Sequence, residues 1–330
     1  MSLRARALRA LVLTLVVFSG LSSPTLAVQK EKEKKKKAAP TGTPVMWREP
    51  SDISTRDLLA GPGGEAMRPD LSSITFIKEE TGGYSKKYRV RDGAGRVWVA
   101  KIGDEAQSET AASRLVWAVG YQAEVTYLVP RVEIPGKGTF ENVRFEARPE
   151  EVERLDEWKW KQNPFTGKRE LQGLKVMMAL LENWDLKDAN NRILLVRGAE
   201  GNELHYVVSD LGATFGKTGT PGSPMAWLRN IRGSRNKPED FVEDKFVTGV
   251  EGGRVRLDYG GKSGDLMRDI TVEDAAWLGG WLARLSDEQI ADAFRAANYT
   301  DEEVQMLTDA TRKRIDELAA LRPGASSAMP

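Results

Sequence analysis

The sequence predicts an α+β chain in two lobes, a small antiparallel β-sheet carrying one helix followed by a larger helical lobe. Three observations lead there. Short runs rich in β-branched and aromatic residues, cut by turn residues, fill Ser73 to Ala147. One helical period, Ala106 to Tyr121, interrupts them. Beyond residue 150 the dominant pattern is long apolar helical periodicity.

In chain order, Arg4, Arg6 and Arg9 precede an apolar run from Ala10 to Phe18 and small residues at Pro24-Thr25-Leu26-Ala27. This is the pattern of a secretory signal over residues 1–27. The run falls short of the roughly 20 residues that span a bilayer, so no transmembrane span is expected after cleavage. Residues 28–50, with Lys34 to Lys37 and no apolar period, read as a disordered tether able to touch the envelope through its lysines. The sheet lobe is assigned to 51–149, the helical lobe to 150–322 and a disordered tail to 323–330.

Within the first lobe, strands are expected over Ile74–Ile77, Tyr84–Val90 and Val97–Ile102, the last two joined at Asp92-Gly93-Ala94-Gly95. Further strands are expected over Val125–Val132 and Asn142–Ala147, broken by Pro130 and Pro135-Gly136. In the second lobe Glu170–Trp184 is a strongly apolar helix, and Arg192–Val196 with Tyr206–Val208 form a hairpin. Gly216 to Gly264 reads as a long irregular loop with one hairpin at Glu251-Gly252-Gly253. Helices follow over Val272–Leu285, Ser286–Ala297 and Thr300–Leu321, the last two opening on capping boxes.

Composition excludes several chemistries. With no cysteine there are no disulfides, thiol nucleophiles or thiolate zinc sites, and with one histidine, His205, no multi-histidine metal site. No nucleophile elbow accompanies His205, which reads as structural. A net charge of +1 favours neither nucleic acid nor membrane as a partner, so any basic site is local.

Phosphoryl transfer needs a cation on the donor phosphates, oxygen ligands for magnesium and a carboxylate facing the attacking hydroxyl. Val99-Ala100-Lys101 ends a strand, and Glu109 on the next helix can pair with Lys101, with Glu105 one turn earlier as the alternative. After the apolar helix comes Asp185-Leu186-Lys187-Asp188-Ala189-Asn190, then an aliphatic strand, and Asp210-Leu211-Gly212 closes the next strand. In this order the residues resemble the protein-kinase set: strand lysine, D-x-K-x-x-N catalytic loop and DFG-like segment. The resemblance implies a bilobed protein-kinase-like fold using Mg-ATP on a protein, lipid or small-molecule hydroxyl. It implies Asp185 as base or orienting carboxylate, Lys187 as stabiliser of the transferring group, Asn190 and Asp210 as Mg2+ ligands, and Lys101 with Glu109 at the nucleotide.

Asn183-Trp184 stand where a histidine and arginine are usual, and there is no A-P-E segment and no G-x-G-x-x-G loop. Gly82 and Gly83 in Thr81–Lys87 are the only candidates for that loop. These departures look like the atypical branch that includes phosphatidylinositol kinases, toxin-type serine kinases and secretory-pathway kinases. With the export signal and the absence of cysteine, they suggest an exported bacterial member, periplasmic or extracellular. An ATP-poor compartment leaves open a pseudokinase or an envelope-binding scaffold.

Two further motifs have alternative readings. Arg229, Arg232, Arg235 and Lys237 either receive an anionic substrate or form a solvated loop. Trp158 to Phe165, mixing aromatics with lysines, either meets bases or a membrane interface or packs over the lobe junction.

Overall fold

The computed structural model describes residues 41–82, 85–218, 234–242 and 246–322. The signal, most of the tether and the tail expected from the sequence lie outside these residues. So do Gly83, Arg229 and Arg232.

The fold opens on β1 (Thr43–Val45), inside the segment read as tether. Residues 41–50 are therefore part of the fold. Val45 and Met46 are buried, and the Trp47 indole lies 5.0 Å from Trp277 and donates to Val119 O at 2.7 Å. Three apolar residues in a row have no period, which is why the sequence pattern missed them.

The first lobe contains β2 (Thr75–Glu80), β3 (Lys86–Arg91), β4 (Val97–Ile102), α1 (Glu105–Ala118), β5 (Thr126–Ile134) and β6 (Gly138–Ala147), with the strands in one sheet of order β2-β3-β4-β6-β5. All its pairs are antiparallel. Pro130 does not break β5: the strand is at the sheet edge, where the missing N–H costs no ladder bond. Alternation along each strand sorts the sheet into two faces. Tyr88, Trp98, Ala100 and Phe145 join one apolar cluster, whereas Lys87, Lys101 and Arg144 are register partners on the other face. α1 ends where Gly120 takes φ +97, and a Cβ there would sit 2.1 Å from Arg48 O.

The second lobe follows with β7 (Val152–Arg154), α2 (Arg169–Leu180), β8 (Asn191–Gly198), β9 (Gly201–Val208), a short α3 (Pro238–Phe241), the hairpin β10 (Val247–Glu251) and β11 (Arg254–Leu257), then α4 (Val272–Leu282), α5 (Asp287–Arg295) and α6 (Asp301–Ala319). β1, β9, β8 and β7 make a second small sheet. α2 is apolar on nearly every side and buried in the main core. Ser286 and Thr300 complete the two capping boxes expected from the sequence. Trp158, Trp160 and Phe165 are buried, Trp158 donating to Val207 O at 2.8 Å, so this motif packs rather than presenting a surface. His205 lies on β9 with Nε2 2.8 Å from Glu203 Oε2. No helix among the described residues is long and apolar enough to cross a membrane. The architecture is a β-sheet lobe joined to a helical lobe, the two-lobed α+β arrangement predicted from the sequence.

Candidate active site

Lys101 comes from the cleft face of β4 and is buried. Its Nζ lies 2.8 Å from Glu109 Oε2, 2.8 Å from Glu105 Oε2 and 3.6 Å from Asp210 Oδ1. Both carboxylates between which the sequence left a choice therefore reach it. Burial opposes the ammonium, but Glu109, Asp210 and Glu105 outweigh it and hold the lysine charged above its ordinary range. Burial also works against Glu105, yet Lys101, Ser85 and Arg235 hold its carboxyl down at about 2. Glu109 goes the other way, burial pushing it up against the pull of Arg144 and Lys101.

The loop over residues 183–190 leaves α2 through Glu182, which takes φ +55, and the Asn183 N–H returns to Met178 O at 2.9 Å. Arg314 anchors this turn from α6, donating to Leu180 O at 2.9 Å and pairing with Glu182 at 3.1 Å. A 3-10 turn over Asp188–Asn190 then aims Asn190 back at Asp185: Nδ2 donates to the Asp185 carbonyl at 2.8 Å and to its Oδ2 at 3.2 Å. Lys187 Nζ meets the same Oδ2 at 2.8 Å. Burial raises the Asp185 carboxyl, but Lys187, Lys262 and Asn190 more than reverse this and keep it ionised. The N–H groups of Ser209 and Asp210 donate to Asn190 O at 2.8 and 3.1 Å, fixing the Asp-Leu-Gly segment to the loop.

Gly82, Lys101, Glu109, Asp185, Lys187, Asn190 and Asp210 thus share one cleft of about 700 Å³, which Glu105 also lines. Gly82 has φ +141 with open space where a Cβ would be, leaving its backbone able to approach a ligand. Arg235 lies in the cleft and pairs with Glu105, whereas Lys237 occupies the N-cap position of α3 and does not line it.

Two parts of the cleft escaped the sequence reading. One is an ion network on β6 and its neighbours: Arg144 meets Glu109 at 3.2 Å and Glu146 at 2.8 Å, and Arg154 joins Glu146 to Glu124 and to Ser209 Oγ. Burial and the nearby Glu146 push the Glu124 carboxyl up to about 7. The alternation Val143, Arg144, Phe145, Glu146 was a readable strand signal, but a charged strand face ordinarily means solvent. The other is Lys262, whose Nζ is 2.6 Å from Asp185 Oδ1; no sequence signal marks it.

A divalent cation fits the donor set in part. Asn190 spends its amide hydrogens on Asp185, and it lines the same cleft as the half-exposed Asp210 carboxylate. No cluster of three or more His, Cys, Asp or Glu able to hold a metal occurs among the described residues. Two oxygen ligands suit Mg2+, which completes its shell with water and substrate phosphates.

No protein-family model and no curated protein matches the sequence. Among solved structures, the chain is similar to the Helicobacter pylori proinflammatory kinase CtkA, at 13% identity and TM-score 0.46, covering 76% of this chain and 96% of that one. It is also similar to the Chaetomium thermophilum Rio2 kinase solved with ADP, Mg2+ and phosphoaspartate, at 14% identity and TM-score 0.32, covering 76% and 74%. Hydra Fam20 with sugar gives 11% identity and TM-score 0.28, covering 77% and 88%. The chemistry must come from this chain's own residues.

Proposed function

We propose that the protein is a Mg-ATP-dependent phosphotransferase acting on a hydroxyl. The observation that carries this is Lys101, held between Glu109 and Asp210 and facing Asp185 across one cleft. In this reading Lys101 binds the donor phosphates, and Asn190 and Asp210 hold Mg2+, which would neutralise charge on them. Asp185 orients the acceptor hydroxyl and takes its proton as the acceptor oxygen bonds to phosphorus. The bridging oxygen departs with the nucleoside diphosphate. Lys187 stabilises charge on the group in transit.

The test is the thermal midpoint with ATP, with and without magnesium, compared with Asp210→Ala. A magnesium-dependent rise that the variant loses is expected. Asp185→Ala should keep that rise and lose transfer. No rise with any nucleotide would defeat the reading in favour of a pseudokinase or scaffold. We also propose export through residues 1–27; recovery of the full-length chain, unprocessed, in the cytoplasm would refute it.

A further inference from the structure

The stretch 259–263 belongs to the part of the chain that reads as featureless, yet it is fastened to the catalytic loop. The Lys262 N–H donates to Trp184 O at 2.7 Å, Tyr259 OH to Asn183 O at 2.7 Å and Ser263 Oγ to Leu186 O at 2.6 Å. Gly261 fits so closely that a Cβ there would lie 2.7 Å from Trp184 Cα. The result is that Lys262 Nζ stands 2.6 Å from Asp185 Oδ1 and 5.4 Å from the centre of the Trp184 ring.

Neutralising Asp185 does not require this lysine, since Lys187 already meets its other oxygen at 2.8 Å. Two ammonium groups on one carboxylate leave a local excess of positive charge. An ammonium has three donors, and Asp185 takes one of them from Lys262. The Lys262 side chain lines the cleft and is 47% exposed, so its ammonium is accessible from the cleft. Beside it the buried Trp184 Nε1 has no hydrogen-bond partner, and Arg235 lies 5.8 Å from the same ring.

We propose that Lys262, together with Lys187, recognises an oxyanion on the acceptor, which is therefore a hydroxyl compound carrying a phosphate next to the hydroxyl that Asp185 orients. The proposal rests on the phosphotransferase reading for the word acceptor, but anion recognition stands on the cleft alone. Phosphate suits the site because the two lysines less the Asp185 carboxylate leave net positive charge, and its several acceptor oxygens can take donors from both ammonium groups at once.

The experiment uses the full chain without nucleotide and follows tryptophan emission on titration with glycerol phosphate and, separately, with vesicles containing phosphatidic acid. The two probes carry the same phosphate monoester in solution and on a lipid. Binding should change the emission, and Trp184→Phe should remove the change. Lys262→Met should weaken binding about tenfold or more, and Lys262→Arg should restore most of it. A response to the soluble probe assigns a soluble acceptor; a response to vesicles alone, with the same dependence on Lys262, assigns a lipid headgroup. Equal affinity in wild type and Lys262→Met, or binding of neither probe, overturns the proposal. The magnesium-dependent nucleotide shift, measured in parallel on Lys262→Met, should persist. Its absence from wild type would defeat the phosphotransferase reading without touching the anion result.

Discussion

The two faces of the five-stranded sheet are built by the same strands and are about equally dry, yet they hold opposite chemistry. On one face Trp98 is fully buried, its ring centre 5.9 Å from Tyr127 and 6.1 Å from Phe145, with its Nε1 donating to Asp92 at 2.9 Å. On the other, Lys101, Arg144 and Glu146, with Glu109 of α1 paired to Lys101 and Arg144, are each no more than 3% exposed. Burying apolar surface stabilises by roughly 25 cal/mol per Å². Burying ion pairs returns little after desolvation, and replacing them with apolar groups is often neutral or better. The row Lys87, Lys101 and Arg144 across three strands is worse still, because facing cations repel. A sheet with no ligand to meet on that side gains nothing from the arrangement.

The largest effect should come from the apolar face. Trp98→Ala removes the centre of that cluster and the indole donor of Asp92, and should cost about 3–5 kcal/mol in denaturant unfolding. Nucleotide affinity of the molecules that remain folded should stay near wild type. On the charged face, Glu109→Ala leaves Lys101 and Arg144 short of a carboxylate and should cost about 3 kcal/mol. The double variant Glu109→Leu with Arg144→Met should recover most of that stability, while the nucleotide binding proposed for the cleft should be lost in both variants. Recovery of binding along with stability would break the comparison, since the charges would then serve the fold alone.

How much of this was readable in the sequence follows the same division. Lys101, Asp185, Asn190 and Asp210 were readable through the resemblance of their motifs and chain order to the protein-kinase set, each beside a strand or turn that the local pattern marks. Glu105 and Glu109 were not separable, being one helical turn apart on one face, and both do reach Lys101. Arg144 and Glu146 alternate as a strand should, but only the packing of α1 over that face makes it an interior. Lys262 meets Asp185 across 77 residues of chain, and nothing local encodes such a contact. β1 failed for a related reason, since three residues that add in parallel to β9 carry no period of their own.

An effect of similar size concerns acid. The Glu105 carboxyl titrates at about 2 in the fold, against an ordinary value of 4.5. A depressed pKa stabilises the fold above the unfolded value and is lost as pH falls through the folded one. The window is therefore pH 4.5 down to about 2, and the contribution is about 3 kcal/mol. Glu105→Gln should flatten the stability curve in that window relative to wild type. An unchanged slope would mean that Lys101 relies on Glu109 and Asp210 instead.

The smallest effect tests the rim of the charged face, where fold and ligand can be separated most cleanly. Arg89 lies on β3 opposite Val99, lines the cleft and pairs with Glu80 at 2.6 Å, with its side chain 34% exposed. A pair this open is worth about 0.5 kcal/mol, so Arg89→Gln should barely move the unfolding midpoint. If the cationic face exists to meet phosphates, the same change should still weaken nucleotide binding several-fold, and more at low salt than at high salt, where screening has already removed much of its contribution. If stability and affinity both stay at wild-type values across the salt series, the ligand's reach ends at Lys101 and the outer charges of the sheet are ordinary surface. The comparison between faces would then narrow to the buried network of Lys101, Glu109, Arg144 and Glu146.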